Sequence, residues 1–269
     1  MIFLQFFETF FRKKRISSRN SIIKILMYGY MKRTYLIVFA IFAALTLNAQ
    51  EDGEKLSLTV DLASDFVWRG LQINSTPVIQ PSVTFSQGIF SIGAWASTPF
   101  TRIFNEHKEF DIFAELQLSS SLSLGLISYY DYSAPYFKLK KEETAHDLDL
   151  YLTYDGSGGF PIRVLASTII GGGADLKWKD GKNKRAFSTY LELGYGRTTN
   201  GGIEWNAFLG FVPMESNFYE IDGAAIINLG FGVTKSFEIT PTYSLPLSLK
   251  LTVNPAYEAV YLTAAVKLF

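Results

Sequence analysis

From residue 55 to the C-terminus, apolar and polar side chains take turns with a period of two, and no long stretch of helical period interrupts them. In residues 55–68, Leu56, Leu58, Val60, Leu62, Phe66 and Trp68 share one parity, and Lys55, Ser57, Thr59, Asp61 and Asp65 share the other. Residues 146–155 set Leu148, Leu150, Leu152 and Tyr154 against Asp147, Asp149, Tyr151, Thr153 and Asp155. Residues 203–211 set Ile203, Trp205, Ala207, Leu209 and Phe211 against Glu204, Asn206, Phe208 and Gly210. Successive side chains of a strand point to opposite faces, so each such segment reads as a strand with two unlike faces.

Twelve segments follow this rule: 55–68, 76–87, 89–99, 109–119, 122–132, 145–155, 160–170, 185–196, 202–212, 222–239, 243–253 and 258–269. Their connections alternate too. One set is short and small or polar, as at 87–88, 119–121, 156–159, 197–201 and 240–242; the other is mostly longer, at 69–75, 100–108, 133–144, 171–184, 213–221 and 254–257. Tight turns at one rim and longer loops at the other are the layout of a transmembrane antiparallel β-barrel, with both termini on the periplasmic side when the strand count is even. Eleven residues at ~3.3 Å each, tilted by ~40°, span roughly 27 Å, enough for an apolar band of ~25 Å. The competing fold is a soluble β-sandwich or lipocalin-like barrel, which turns its apolar face inward and keeps a charged exterior. The rich apolar parity, and the absence of any cysteine to staple a secreted domain, favour the all-β membrane barrel.

The first 49 residues are a different material, with eight bases (Arg12, Lys13, Lys14, Arg15, Arg19, Lys24, Lys32 and Arg33) against the single acid Glu8. Within them, Met31-Lys32-Arg33 precedes an uncharged apolar run at 34–47, then Asn48-Ala49-Gln50 and an acidic stretch, the three-part plan of a secretory signal. A run of this length is too short for the ~20 residues of a spanning helix. The expected organisation is 1–30 as upstream or mis-started sequence, 31–49 as a signal cleaved after Ala49, and 50–269 as the barrel. Mass analysis of membrane-extracted protein is expected to give Gln50 as the first residue; retention of Met31 would contradict this.

Catalytic chemistry finds little to use. There is no cysteine, no G-x-S-x-G elbow and no Walker lysine after Gly171-Gly172-Gly173, and His107 and His146 are the only histidines. Asp147 and Asp149 lack the glycine and terminal glutamate of a calcium loop. The chain is expected to be no enzyme, to need no cofactor or metal, and to bind no nucleic acid, its formal net charge being zero.

The parity rule assigns Asp61, Asp65, Asp111, Glu115, Asp147, Asp149, Glu192, Glu204 and Glu238 to the lumen, with Lys55, Arg69, Arg163 and Lys250 as the inward bases. This acid excess supports either a hydrated interior braced by salt bridges or a narrow, cation-leaning pore. Lys177, Lys179, Lys182, Lys184 and Arg185 make a basic outer loop, either simply solvated or facing anionic lipopolysaccharide or another anionic ligand. Lys267 stands out of step with the apolar C-terminus before Phe269, as if a bulge shifted the register or the lysine snorkelled to the rim.

The block Ser64-Asp65-Phe66-Val67-Trp68-Arg69-Gly70-Leu71 and the stretch Pro77-Val78-Ile79-Gln80-Pro81 resemble the TorF-type porin family of Gram-negative bacteria, known mainly as conserved hypothetical outer-membrane proteins. Ser236-Phe237-Glu238-Ile239-Thr240, Ser244-Leu245-Pro246-Leu247 and Asn254-Pro255 extend the resemblance over roughly residues 55–269, and Leu47-Asn48-Ala49-Gln50 looks like signal ends of Bacteroidota. The resemblance implies an outer-membrane barrel in contact with lipid and lipopolysaccharide, without naming a substrate. Together with the acidic lumen it makes a passive channel for small polar solutes the first expectation. A structural or adhesive barrel with a plugged lumen and working outer loops is the second, and a lipid-modifying barrel enzyme a weaker third.

Overall fold

The computed structural model describes residues 54–100, 107–157 and 160–268. The upstream stretch 1–30, the expected signal 31–49, Gln50 and Phe269 lie outside them, as do 101–106 of one long connection and 158–159 of one short one. Strand β1 (Glu54–Ala63) is followed by a small hairpin, β2 (Phe66–Trp68) and β3 (Leu71–Asn74). Next come β4 (Val78–Gln87), β5 (Phe90–Pro99), β6 (Glu109–Gln117), β7 (Leu122–Tyr130), β8 (His146–Tyr154) and β9 (Arg163–Gly172). A second hairpin, β10 (Leu176–Lys179) and β11 (Lys182–Arg185), precedes β12 (Thr189–Thr198), β13 (Ile203–Val212), β14 (Ala225–Thr240), β15 (Tyr243–Asn254) and β16 (Ala259–Lys267).

All strands except those of the two hairpins form one closed antiparallel barrel of twelve strands, so the all-β barrel expected from the alternation is what the chain builds. Strand β16 returns to β1, with Asp61 opposite Lys267 and Ala63 opposite Ala265, and closure removes the unpaired sheet edges. The register matches apolar to apolar from strand to strand on one face: Leu58 with Val83, Phe90 with Leu116, Leu126 with Leu150, Leu209 with Leu229, and Leu251 with Leu262.

That face is turned outward. Leu58 is 49% exposed and Leu150 40%, whereas Asp111 on the inner parity is 3% exposed and Asp149 fully buried. A water-soluble barrel of the lipocalin kind carries a charged exterior instead.

Two local expectations need correction. The segment 55–68 is not one strand, because the wall strand stops at Ala63 and Phe66–Trp68 belongs to the inner hairpin. Phe66, Val67 and Trp68 are consecutive and apolar, so no strand orientation could give this stretch one polar and one apolar face. Lys267 needs neither a bulge nor snorkelling. Pairing of β15 with β16 runs unshifted from Asn254–Ala259 to Leu247–Val266, and Lys267 lies opposite Asp61 on the lumen parity.

Candidate functional site

The hairpin β2–β3 folds into the barrel at the long-loop end. Its tip is a two-residue turn, Arg69-Gly70, between the paired Trp68 and Leu71, with φ of 48° and 81°. Two successive left-handed residues make the turn type that suits the strand twist of a tight hairpin. Asp180-Gly181 closes β10–β11 in the same way, at φ 54° and 75°, but a Cβ on Gly181 would meet nothing within 4 Å. A Cβ on Gly70 would stand 1.8 Å from the Ile227 carbonyl oxygen, so one turn stands clear and the other is wedged against the inner wall. Asn254, fully buried at the end of β15, donates its Nδ2–H to the Gly70 carbonyl at 3.0 Å. Its Oδ1 accepts from the backbone N–H groups of Ala256 and Tyr257. The Arg69-Gly70 and Asn254-Pro255 motifs, 184 residues apart, are therefore joined directly.

Arg69 reaches from the hairpin tip to β8, where its Nη2 meets Asp149 Oδ2 at 2.9 Å, the two side chains being 9% and 0% exposed. Its Nη1 donates to the Tyr219 hydroxyl at 2.5 Å, and its guanidinium lies 4.4 Å from the Trp68 ring centre and 4.7 Å from that of Tyr190. Tyr129 donates a further hydrogen bond to Asp149 at 3.1 Å. Taking two charges out of water costs several kcal/mol per ion, and the ion pair, hydroxyl and ring contacts together offset it. Around this pair the outer lumen is packed like a core. Val78, Ile169, Tyr190, Val212, Ile227 and Asn254, from six wall strands, have no exposed surface. Trp68 touches both apolar clusters of this layer, one around Phe66 and Val78 and one around Tyr190, Tyr219 and Ile227.

The outer loops tie down this plug. Tyr219, in the 213–224 connection, is held through its carbonyl by Tyr257 and through its backbone N–H by Ser216. Ser216 donates to Ser188, which donates to the buried Asp175 beside β10. Of the basic cluster, Lys177 reaches Glu215 at 3.6 Å, Lys184 pairs with Asp180, and Arg185 donates to the Gly172 and Asp175 carbonyls. Lys179 and Lys182 are exposed at the tip of the second hairpin. In the 131–145 loop, Glu143 is held down to about 2 by hydrogen bonds from Lys140 and Lys138.

Both histidines serve loop geometry. His107 bonds Glu109 at 3.0 Å, and its backbone is clasped by Asn74. His146 is packed between Tyr130 and Tyr136. Its Nε2 donates to the Tyr136 carbonyl, and its Nδ1 lies 2.9 Å from the Ser128 hydroxyl.

No protein-family model matches the chain, and no curated protein matches it.

Below the plug lies a chamber of about 420 Å³, lined by Phe66, Trp68 and Arg69 from the hairpin and by Trp95, Asp111, Phe113 and Tyr151 among others from the wall. The remaining lumen candidates divide by depth. Glu115 accepts from Tyr151 at 3.2 Å, and Glu192 accepts from Tyr190 and Asn228 with Lys250 nearby. Asp65 is buried in the hairpin stem beside Gln72. Asp147, at the outer end of β8, accepts from the Ala174 backbone. Lys55, Arg163, Glu204 and Glu238 are exposed toward the short-turn rim, and Asp61 faces Lys267. Arg69 is part of the plug rather than the wall, and Lys267 is an inward base the parity reading left out.

The inner wall also carries glycines beneath aromatic rings, which alternation alone does not announce. A Cβ on Gly210 would sit 2.0 Å from the Tyr190 hydroxyl, and one on Gly125 would sit 2.1 Å from the Tyr151 ring. Tyr190 is fully buried and hydrogen-bonded to Glu192, so it cannot swing aside. Gly210→Ala is expected to destabilise the barrel by about 1–3 kcal/mol. Gly194→Ala, whose Cβ would find its nearest neighbour at 3.6 Å, should be close to neutral. Urea unfolding of the refolded barrels compares the two.

Proposed function

We propose that this chain is an outer-membrane barrel of the kind the TorF-type porins represent, and that its passage for small polar solutes is held shut from the outer side by the β2–β3 hairpin. The outward apolar face supports the membrane setting. The Arg69–Asp149 pair across the lumen supports the closed state. An open passive pore has no use for a zero-exposure layer at its mouth, and a gated one does. The exposed polar wall toward the short turns leaves the chamber accessible from the periplasmic side.

Planar-bilayer recording tests the reading. Wild-type protein is expected to be mostly silent. Arg69→Ala, or replacement of residues 65–74 by a short Gly-Ser turn, is expected to produce conductance. Because acids outnumber bases on the lumen parity, that current should favour K⁺ over Cl⁻ at low salt. The preference should weaken at 1 M, where the screening length is ~3 Å. Steady wild-type conductance contradicts the closed state, and anion selectivity contradicts the charge assignment.

The interlocked loops favour a second reading, a permanently plugged structural or adhesive barrel. It is selected when both hairpin variants fold, as shown by heat-modifiable gel mobility, yet stay silent.

A further inference from the structure

The chamber beneath the plug has one group that its surroundings leave unsatisfied. Asp111 lines the chamber and is 3% exposed, and its Oδ1 has no hydrogen-bond partner. Of the other carboxylates at this level, Glu109 holds His107, and Asp149 holds Arg69 through Oδ2; its Oδ1 also lacks a partner, but Asp149 does not line the chamber. Asp111 has no basic partner among the described residues. Its carboxyl group lies within hydrogen-bonding reach of Glu109 and of the Tyr130 backbone, and these contacts still leave Oδ1 empty. A buried carboxyl oxygen without a partner is costly, and a ligand that supplies a donor or a positive charge removes that cost.

The rest of the lining fits a cation with an apolar body. Trp68, Trp95, Phe113, Tyr129 and Tyr151 surround the space, and aromatic faces attract cations most strongly where water is excluded. The hairpin already shows this chemistry, since the Arg69 guanidinium stands 4.4 Å from the Trp68 ring centre. Arg69 is the only basic side chain in the lining, and Asp149 occupies it. A chamber of about 420 Å³ falls within the range of small-molecule sites. We infer that the chamber is a binding site for a small organic cation, an ammonium-bearing compound with an aromatic or aliphatic body, whose charged head is held by Asp111 and whose body stacks on the aromatic walls. The site goes beyond the gating reading and does not rest on it, because the chamber exists with the hairpin in place.

The test uses the full barrel refolded in non-ionic detergent and follows tryptophan emission, because Trp68 and Trp95 both line the site. The probes are benzyltrimethylammonium, its neutral analogue benzyl alcohol, and the anion benzoate. The ammonium probe is expected to give a saturable change, with the other two weaker by about tenfold or more. Asp111→Asn should weaken ammonium binding by a similar factor. Ser82→Phe, which fills the chamber from β4, across Trp95 from Asp111, without removing a charge, should abolish it. Equal binding of benzyl alcohol, undiminished binding by Asp111→Asn, or no saturable change in the wild type each overturns the inference. Should both variants misfold, the three-probe comparison on wild-type protein still decides it. No membrane or gradient is involved, so a barrel silent in bilayers leaves this result unaffected, and failure of binding leaves the gate untouched.

Discussion

Arg69→Ala is expected to lower the unfolding free energy of the barrel by about 3–5 kcal/mol, among the largest effects of any single substitution in the chain. The loss does not measure the worth of the ion pair. Removing the guanidinium leaves the Asp149 carboxylate with no exposed surface and no counter-charge, so the variant bears the desolvation of a charge that nothing balances. It also strips a cation from the Trp68 and Tyr190 rings and a donor from Tyr219. Asp149→Asn should cost less, because the amide oxygen remains an acceptor for Arg69, and the guanidinium keeps the Trp68 and Tyr190 rings and the Tyr219 hydroxyl. Replacing both partners with apolar residues of similar size, as in Arg69→Met with Asp149→Leu, should recover much of the stability. The double variant thereby separates two roles. If the pair serves closure through its geometry, the apolar substitute stays stable yet loses the directed clasp, and its bilayer conductance exceeds that of wild type. Urea titration of all four proteins, with recording on each, checks both parts. A single variant Arg69→Ala with unchanged stability would mean that the hairpin does not occupy the lumen.

The wall of this molecule was legible because its physics is local. A strand whose two faces meet unlike surroundings must alternate, and each of the twelve expected segments corresponds to one wall strand of the closed barrel. The plug was not legible as a plug, although its parts were in plain view. Phe66, Val67 and Trp68 broke the alternation, and Arg69-Gly70 is a two-residue turn of the left-handed kind. Read along the chain, parity makes Arg69 an inward base of the wall at the start of the 69–75 loop, not the tip of a hairpin folded into the lumen. Only the closed barrel brings the turn to Asp149, Asn254 and Ile227, which lie 80 or more residues away. The inward parity held a second sign, in that Val78 and Ile169 put apolar side chains where a water-filled pore needs polar ones; Ile227 joins them at the register shift in β14, which parity does not foresee. Asp111 was named as a lumen acid like eight others. That it combines deep burial, an empty oxygen, no basic partner among the described residues and a place in the aromatic chamber lining depends on side-chain geometry that alternation does not encode.

Arginine at a mid-strand position of the outer face should be nearly as damaging as loss of Arg69, for the opposite reason. Leu58 and Leu150 sit near the middle of β1 and β8, are 49% and 40% exposed, and carry their exposed surface on the apolar face. Arg at either is expected to cost about 2–4 kcal/mol in lipid vesicles, falling to about 0–1 kcal/mol for positions near the interfaces. Leu116 belongs to the lower group: it is the penultimate residue of β6, close to the short-turn rim, where a guanidinium can snorkel to water. The matched control is Thr59→Arg, one residue from Leu58 but pointing to the lumen, opposite the chamber residue Ser82. There the added charge meets a hydrated wall with an excess of acids, so its cost should be small. Reversible unfolding titrations in thin-bilayer vesicles give all four values under one condition. The order Leu58→Arg and Leu150→Arg well above Leu116→Arg and Thr59→Arg requires both the outward parity and the membrane. A β-barrel that lived in water would show the reverse pattern, tolerating arginine on the exposed face and failing when the inner wall was charged. Because the four substitutions add the same side chain, differences in helix or strand propensity drop out, and what remains is the medium each position faces.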